Sequence, residues 1–181
     1  MTYPNFVLGD KWEPADANAV GLWLVKSQAV GTGVSSVTVT DAFSGDYENY
    51  RIIISGIAGS AGGGSIQLKL NNSNGTTYFA GGLFGSFTIA TLNAYGPAAA
   101  VRWNDVWALD TTVQGGYADL YRPALVSPTM FTSSSVRMGA NNAWYMINGL
   151  DTASVSNTGF TITPTSGTFT GGTIRVYGFR N

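Results

Sequence analysis

Ser65-Ile66-Gln67-Leu68-Lys69-Leu70 alternates without a break, with Ile66, Leu68 and Leu70 on one side of an extended chain and Gln67 and Lys69 on the other. Successive side chains of a strand point to opposite faces, whereas a helix needs apolar residues three and four apart. One face of this segment is therefore buried and one is wet, the pattern of a strand in an antiparallel sheet. The same period recurs along the chain. Val34, Val37 and Val39 and then Tyr50-Arg51-Ile52-Ile53-Ile54-Ser55 precede the segment, and strands are predicted after it near Phe84–Ala90, Val101–Leu109, Tyr117–Arg122, Ser134–Met138, Trp144–Ile147 and Phe160–Thr163. The last predicted strand, Thr173–Phe179, sets Ile174 and Val176 against Arg175 and Tyr177.

Turn residues separate these segments at the short intervals of a sandwich or barrel. Ala58–Gly64 reads as a flexible link, and Asn71-Asn72-Ser73-Asn74-Gly75 as a hairpin turn in which Asn74-Gly75 supplies the positive φ angles. No stretch after residue 33 carries helical periodicity. The expected fold is all-β, an antiparallel jelly-roll-like β-sandwich over residues 34–181 preceded by a short N-terminal arm over residues 1–33. In that arm Asp10, Lys11, Glu13 and Asp16 surround Trp12 and Pro14, and Pro14 suits the first turn of a short helix that Gly21 ends. Leu22-Trp23-Leu24-Val25-Lys26 reads either as an arm that docks elsewhere or as the first strand of the domain.

The 181 residues include no His and no Cys. Ser-His-Asp and Cys-His nucleophiles, imidazole or thiolate metal sites and disulfide frameworks are thereby excluded, leaving chemistry by carboxylates, Lys or Tyr. Charged residues make up 10% of the chain, against about 25% in an ordinary soluble domain. Nine Lys and Arg, scattered from Lys11 to Arg180, are a poor match for a phosphate backbone, so no nucleic-acid partner is expected. No apolar run approaches the roughly 18 residues of a membrane span, so no membrane insertion is expected, and Met1–Pro14 lacks the basic-then-apolar pattern of a secretory signal. A surface covered by Ser, Thr, Asn, Gly and aromatic rings instead of charge predicts a chain that buries one flank against copies of itself, most simply as a homotrimer.

Candidate sites are few. A glycosidase needs two carboxylates about 5–9.5 Å apart, and Asp105 and Asp110, flanking Trp107, are the one pair considered. Their positions, mid-strand and strand end, favour turn and capping roles instead. Ser44–Glu48 spaces its oxygens like a calcium loop but lacks the further acids, and Gly62–Gly64 is followed by no Lys-Ser or Lys-Thr, so the first reads as a turn and the second as a linker. No catalytic residue, metal or cofactor is expected. The aromatic candidates for glycan or receptor contact are Trp103, Trp107, Trp144 and Tyr145. Trp103 and Trp107 share a strand face and alternatively fill the core or a subunit seam, whereas Trp144 and Tyr145 point to opposite faces.

Two stretches carry a resemblance. Ala42-Phe43-Ser44-Gly45-Asp46-Tyr47-Glu48-Asn49-Tyr50-Arg51-Ile52-Ile53-Ile54 resembles the F-S-x-x-Y-D-N-Y-R-I stretch of many tailed-bacteriophage virion proteins, with Glu48 where Asp is commoner. Gly167-Thr168-Phe169-Thr170-Gly171-Gly172-Thr173-Ile174-Arg175-Val176-Tyr177-Gly178-Phe179 is similar to the G-T-x-x-G-G-T-I-R-V-Y-G-Y ending of that group, with Phe179 for Tyr. Asp119-Leu120-Tyr121-Arg122-Pro123-Ala124 is similar to the family's short polar-aromatic-Pro segment. The resemblance spans residues 34–181 and is firm at its two ends. It implies a non-enzymatic structural protein of the virion, of the minor tail or tail-fibre type, whose arm attaches to other virion proteins through Trp12, Pro14, Leu22 and Trp23. Two roles follow from it: a tail-associated protein that recognises host glycans, or a capsid decoration protein or head fibre that does not. A sugar-cleaving depolymerase is the third class, and it would need the carboxylate pair.

Overall fold

The computed structural model describes residues 21–90, 92–96, 99–139 and 142–179. These residues form fourteen strands and no helix. The strands are β1 (Leu22–Ala29), β2 (Thr32–Val34), β3 (Val37–Val39), β4 (Asn49–Ile57), β5 (Gly64–Leu70), β6 (Tyr78–Ser86) and β7 (Leu92–Tyr95). There follow β8 (Trp103–Leu109), β9 (Gln114–Tyr121), β10 (Thr129–Arg137), β11 (Ala143–Asp151), β12 (Phe160–Pro164), β13 (Phe169–Thr170) and β14 (Thr173–Phe179). Two antiparallel sheets pack as a sandwich, one of eight strands in the order β1-β14-β4-β9-β10-β11-β6-β7 and one of four in the order β3-β12-β5-β8; β13 and β2 form a separate pair.

Alternation decides which side of each sheet is inside. In β4, Tyr50, Ile52 and Ile54 are buried while Arg51, Ile53 and Ser55 point outward, and in β5 Ile66, Leu68 and Leu70 are buried. Between the sheets Trp103 lies against Phe131 (ring centroids 4.6 Å apart) and meets Tyr78 edge-on at 5.2 Å. Tyr78 also ties the two sheets by a hydrogen bond, since its hydroxyl accepts from the Leu70 amide at 3.1 Å.

Three expectations are corrected. The arm boundary falls inside the sandwich: Leu22–Ala29 pairs along β14, from Leu22 opposite Phe179 to Ala29 opposite Thr173, so this segment is a strand of the sheet, the first among the described residues, as the alternative reading had it. Trp12, Pro14 and the short helix predicted after them lie outside the described residues. Asn71–Gly75 is not a hairpin turn, because it leads from β5 in the small sheet to β6 in the large one; of the two residues expected at positive φ, Gly75 is found there, at 109°. The strand expected at Phe84–Ala90 is β6, displaced toward Tyr78, because its Gly81, Gly82 and Gly85 leave gaps in the alternation that the large sheet tolerates.

The two stretches that carry the resemblance are neighbours. β4 and β14 pair with Tyr50 opposite Gly178 and Ile54 opposite Ile174. The Tyr47 ring occupies the space a side chain at position 178 would need, so only glycine fits there. Tyr47 meets Tyr50 edge-on at 5.8 Å, and the Tyr50 hydroxyl closes the Ser44–Glu48 turn by accepting from the Ser44 amide (2.7 Å) and donating to the Ser44 carbonyl (2.8 Å). Gly172 enters β14 at φ 118° with its α-carbon against the Ile57 backbone, a conformation and a clearance that exclude a side chain.

Candidate functional site

The four aromatic candidates part company in the structure. Trp103 and Trp107 are buried, at 1% and 0% exposure, and are withdrawn as contact residues: a ring without a free face cannot stack on a sugar. Both lie on the inward side of β8, the face that residues four apart share. β8 departs from regular register between its pairings Trp103–Leu68 and Trp107–Ile66, and Asp105 takes φ 54° within that irregularity. Their ring N–H groups find no partner among the described residues, so both serve as apolar filling.

Trp144 and Tyr145 remain partly exposed, on opposite sides of β11. Trp144 lies on the outward side, its indole over Gly85, where a side chain would collide with it. Tyr145 lies on the inward side, opposite Phe84 on β6, and the two rings stack with centroids 5.5 Å apart and planes 12° from parallel. The Arg137 guanidinium sits 5.7 Å from the Tyr145 ring centre.

A cleft of about 190 Å³ opens here, lined by Phe84, Tyr95, Asp105, Tyr145 and Ile147. It lies below the roughly 300 Å³ lower end of small-molecule pockets, so it admits a single ring-sized group. Burial raises the Tyr145 hydroxyl above its ordinary pKa, a rise that Asp105 adds to and Arg137 opposes, and burial followed by the charge of Asp105 raises that of Tyr95. Two protonated phenols and a carboxylate at the mouth of an aromatic pocket can donate to and accept from a polyhydroxylated ligand while the rings offer an apolar surface. Sequence reasoning had Tyr145 and Asp105 but did not join them. Nothing local signals the meeting, because β7, which supplies Tyr95, is read by its pairing with β6 and not by any alternation of its own.

Asp105 and Asp110 are not poised together. Asp110, beyond the end of β8 and 4% exposed, accepts from the amides of Thr111 (2.7 Å) and Gly63 (3.3 Å) and from the Thr111 hydroxyl. Burial acts to raise its pKa, but these bonds outweigh it and the net shift is downward. Asp110 thus anchors the 58–64 link, whereas Asp105 faces the Tyr145 cleft. Leu22 and Trp23 stand on β1, at one end of the large sheet as the described residues form it, at 40% and 48% exposure.

The low charge of the chain led to the expectation of one contact flank without locating it; the outward face of the large sheet is largely apolar. Phe79 and Leu83 on β6, Met130 and Val136 on β10 and Met146 on β11 are between 37% and 56% exposed. Between them runs a groove of about 600 Å³ lined by Phe79, Gly81, Tyr121, Met130, Asn148 and Leu150 among others. Toward β4 the face turns polar, where Arg51 grips Asp119 through two bonds of 2.6 Å each and lies 4.8 Å from the Tyr117 ring centre. Apolar residues at both parities of one strand, as in Leu83-Phe84 and Met146-Ile147, were the signal available for it.

Among the described residues no three His, Cys, Asp or Glu come together as a metal site, and no helix is long and apolar enough to cross a membrane. No protein-family model, curated protein or solved structure matches the chain.

Proposed function

We propose that this chain is a non-enzymatic structural component of a bacteriophage particle, associated with the tail and engaged in host attachment. The observation that carries the reading is the packing of the two family-like stretches into one unit: β4 pairs along β14, and the Tyr47 ring of the first, held edge-on to Tyr50, fills the space over Gly178 of the second. Those residues are scaffold, which gives a physical reason for their recurrence together. In this reading the chain works as a homotrimer on the released virion, Leu22 and Trp23 on β1 continue an attachment region that includes Trp12 and Pro14, and the Tyr145 cleft takes a glycan ring of the host surface.

Purified protein should bind host cells, and Tyr145→Ala should lower that binding roughly 10-fold, the loss of one stacking and hydrogen-bonding residue at about 1.4 kcal/mol per tenfold. Antibody labelling of particles should place the chain on the tail. The alternative, a capsid decoration protein or head fibre, gains from the burial of Trp103 and Trp107, which leaves fewer rings for host contact. Labelling of the head together with unchanged adsorption by Tyr145→Ala would select it, and absence of the chain from purified particles would reject both.

A further inference from the structure

We propose that the outward face of the large sheet is the surface through which copies of this chain meet one another, an inference that rests on the homo-oligomer part of the reading above and assigns it a place. Strands spaced about 4.8 Å apart and rising about 3.3 Å per residue give the six strands from β14 to β6 a footprint of roughly 29 Å by roughly 26 Å. That is about 750 Å², close to the roughly 800 Å² that each partner contributes to a stable interface. A short peptide would leave most of it uncovered.

Charge argues for a copy of the same chain as the occupant. A face that meets the same face of its neighbours must not repel itself, because like charges brought together across an interface are unfavourable. On strands β14, β4, β9, β10, β11 and β6 the outward charged side chains are Arg175, Arg51 and Asp119. Arg51 and Asp119 neutralise each other, and Arg175 donates to the Ser55 hydroxyl at 2.9 Å. The rest is apolar or neutral. Its arrangement, an apolar centre over β10, β11 and β6 beside a polar border over β4, is that of an interface core and rim, and Met130 and Met146 supply side chains that adapt to an opposing copy.

The test uses the full chain. Light scattering on the wild type at micromolar concentration should give a multiple of 19.0 kDa. The double variant Leu83→Lys, Met146→Lys should run as a folded monomer with its dissociation constant raised at least roughly 100-fold, while Thr38→Lys on the outward side of the small sheet should leave the assembly intact. Circular dichroism verifies that the double variant is folded, as expected for two exposed positions. A second readout exploits the absence of cysteine: Met146→Cys should react slowly with a maleimide in the assembled protein and Thr38→Cys quickly. An assembly that survives both lysines, or a fast-reacting Met146→Cys within it, overturns this assignment and leaves the particle reading standing. A monomeric wild type overturns the assignment and the homo-oligomer together, whether Met146→Cys is then shielded by the chain's own residues 1–20 or open, while the location of the chain on particles is still decided by labelling.

Discussion

The two outward faces of the sandwich are built on opposite plans. On the small sheet every outward position of β3, β12 and β5 is polar: Thr38 and Thr161 share a hydrogen bond at 2.9 Å, Gln67 donates to Asn104 at 2.6 Å, and Lys69 and Thr163 complete the surface. On the large sheet the corresponding positions of β10, β11 and β6 hold Met130, Val136, Met146, Phe79 and Leu83 beside Thr132, Ser134 and Asn148. Both sheets bury apolar residues inward, and the large one also buries Thr129, Ser133 and Ser135 there, so core formation does not explain its apolar outward side. A chain with few charges covers one side with short hydroxyl and amide side chains and leaves the other to contact.

One tie between the two sheets, the Tyr78 hydroxyl, is sensitive to alkali. Burial pushes the Tyr78 hydroxyl up to about 12, from an ordinary value near 10. The folded state keeps a proton that the unfolded chain gives up, so stability is complete below about pH 10 and falls as pH rises toward 12, by up to about 2–3 kcal/mol. Denaturant unfolding from pH 8 to pH 12 should show this decline, and Tyr78→Phe should lack that part of it while losing about 1 kcal/mol at neutral pH for the unpaired Leu70 amide. The charges sharpen the contrast next. Arg51→Met on the large face leaves Asp119, half-buried in the sheet, without its two bonds and should cost about 1–2 kcal/mol; Lys69→Met on the small face should fall within about 0.5 kcal/mol of wild type. The smallest effect belongs to the hydroxyl pair: Thr38→Val and Thr161→Val in a double-mutant cycle should show coupling of about 0.5 kcal/mol or less.

Much of this architecture can be read from residues. The alternation of 65–70 and 173–179 is strict because each strand has one buried face, and both lie where period-two patterning puts them. The pattern fails where both sides of a strand are apolar, as in β6 and β11, since the outward side there mimics a core. It also fails where pairing alone makes the strand, as in β7, and at β1, whose exposed Leu22, Trp23 and Leu24 carry no inward signal. For the site, the position of Tyr145 was legible from its parity against Trp144. The burial of Trp103 and Trp107 was open to either reading because parity puts both on one face without saying which face is inward.

The position of β4 bears on how the chain is made. Its two neighbours are β14 and β9, and the bond from Arg175 to Ser55 joins residues 120 positions apart. Closing loops of that length comes before any reward from pairing, which places the protein among slow folders dominated by distant contacts. During translation Ile52, Ile53 and Ile54 must wait, with one edge bare, until β14 has left the ribosome. An apolar strand that waits invites intermolecular pairing, so yield in a heterologous host should depend on growth temperature and chaperone supply more than on the stability of the finished sandwich.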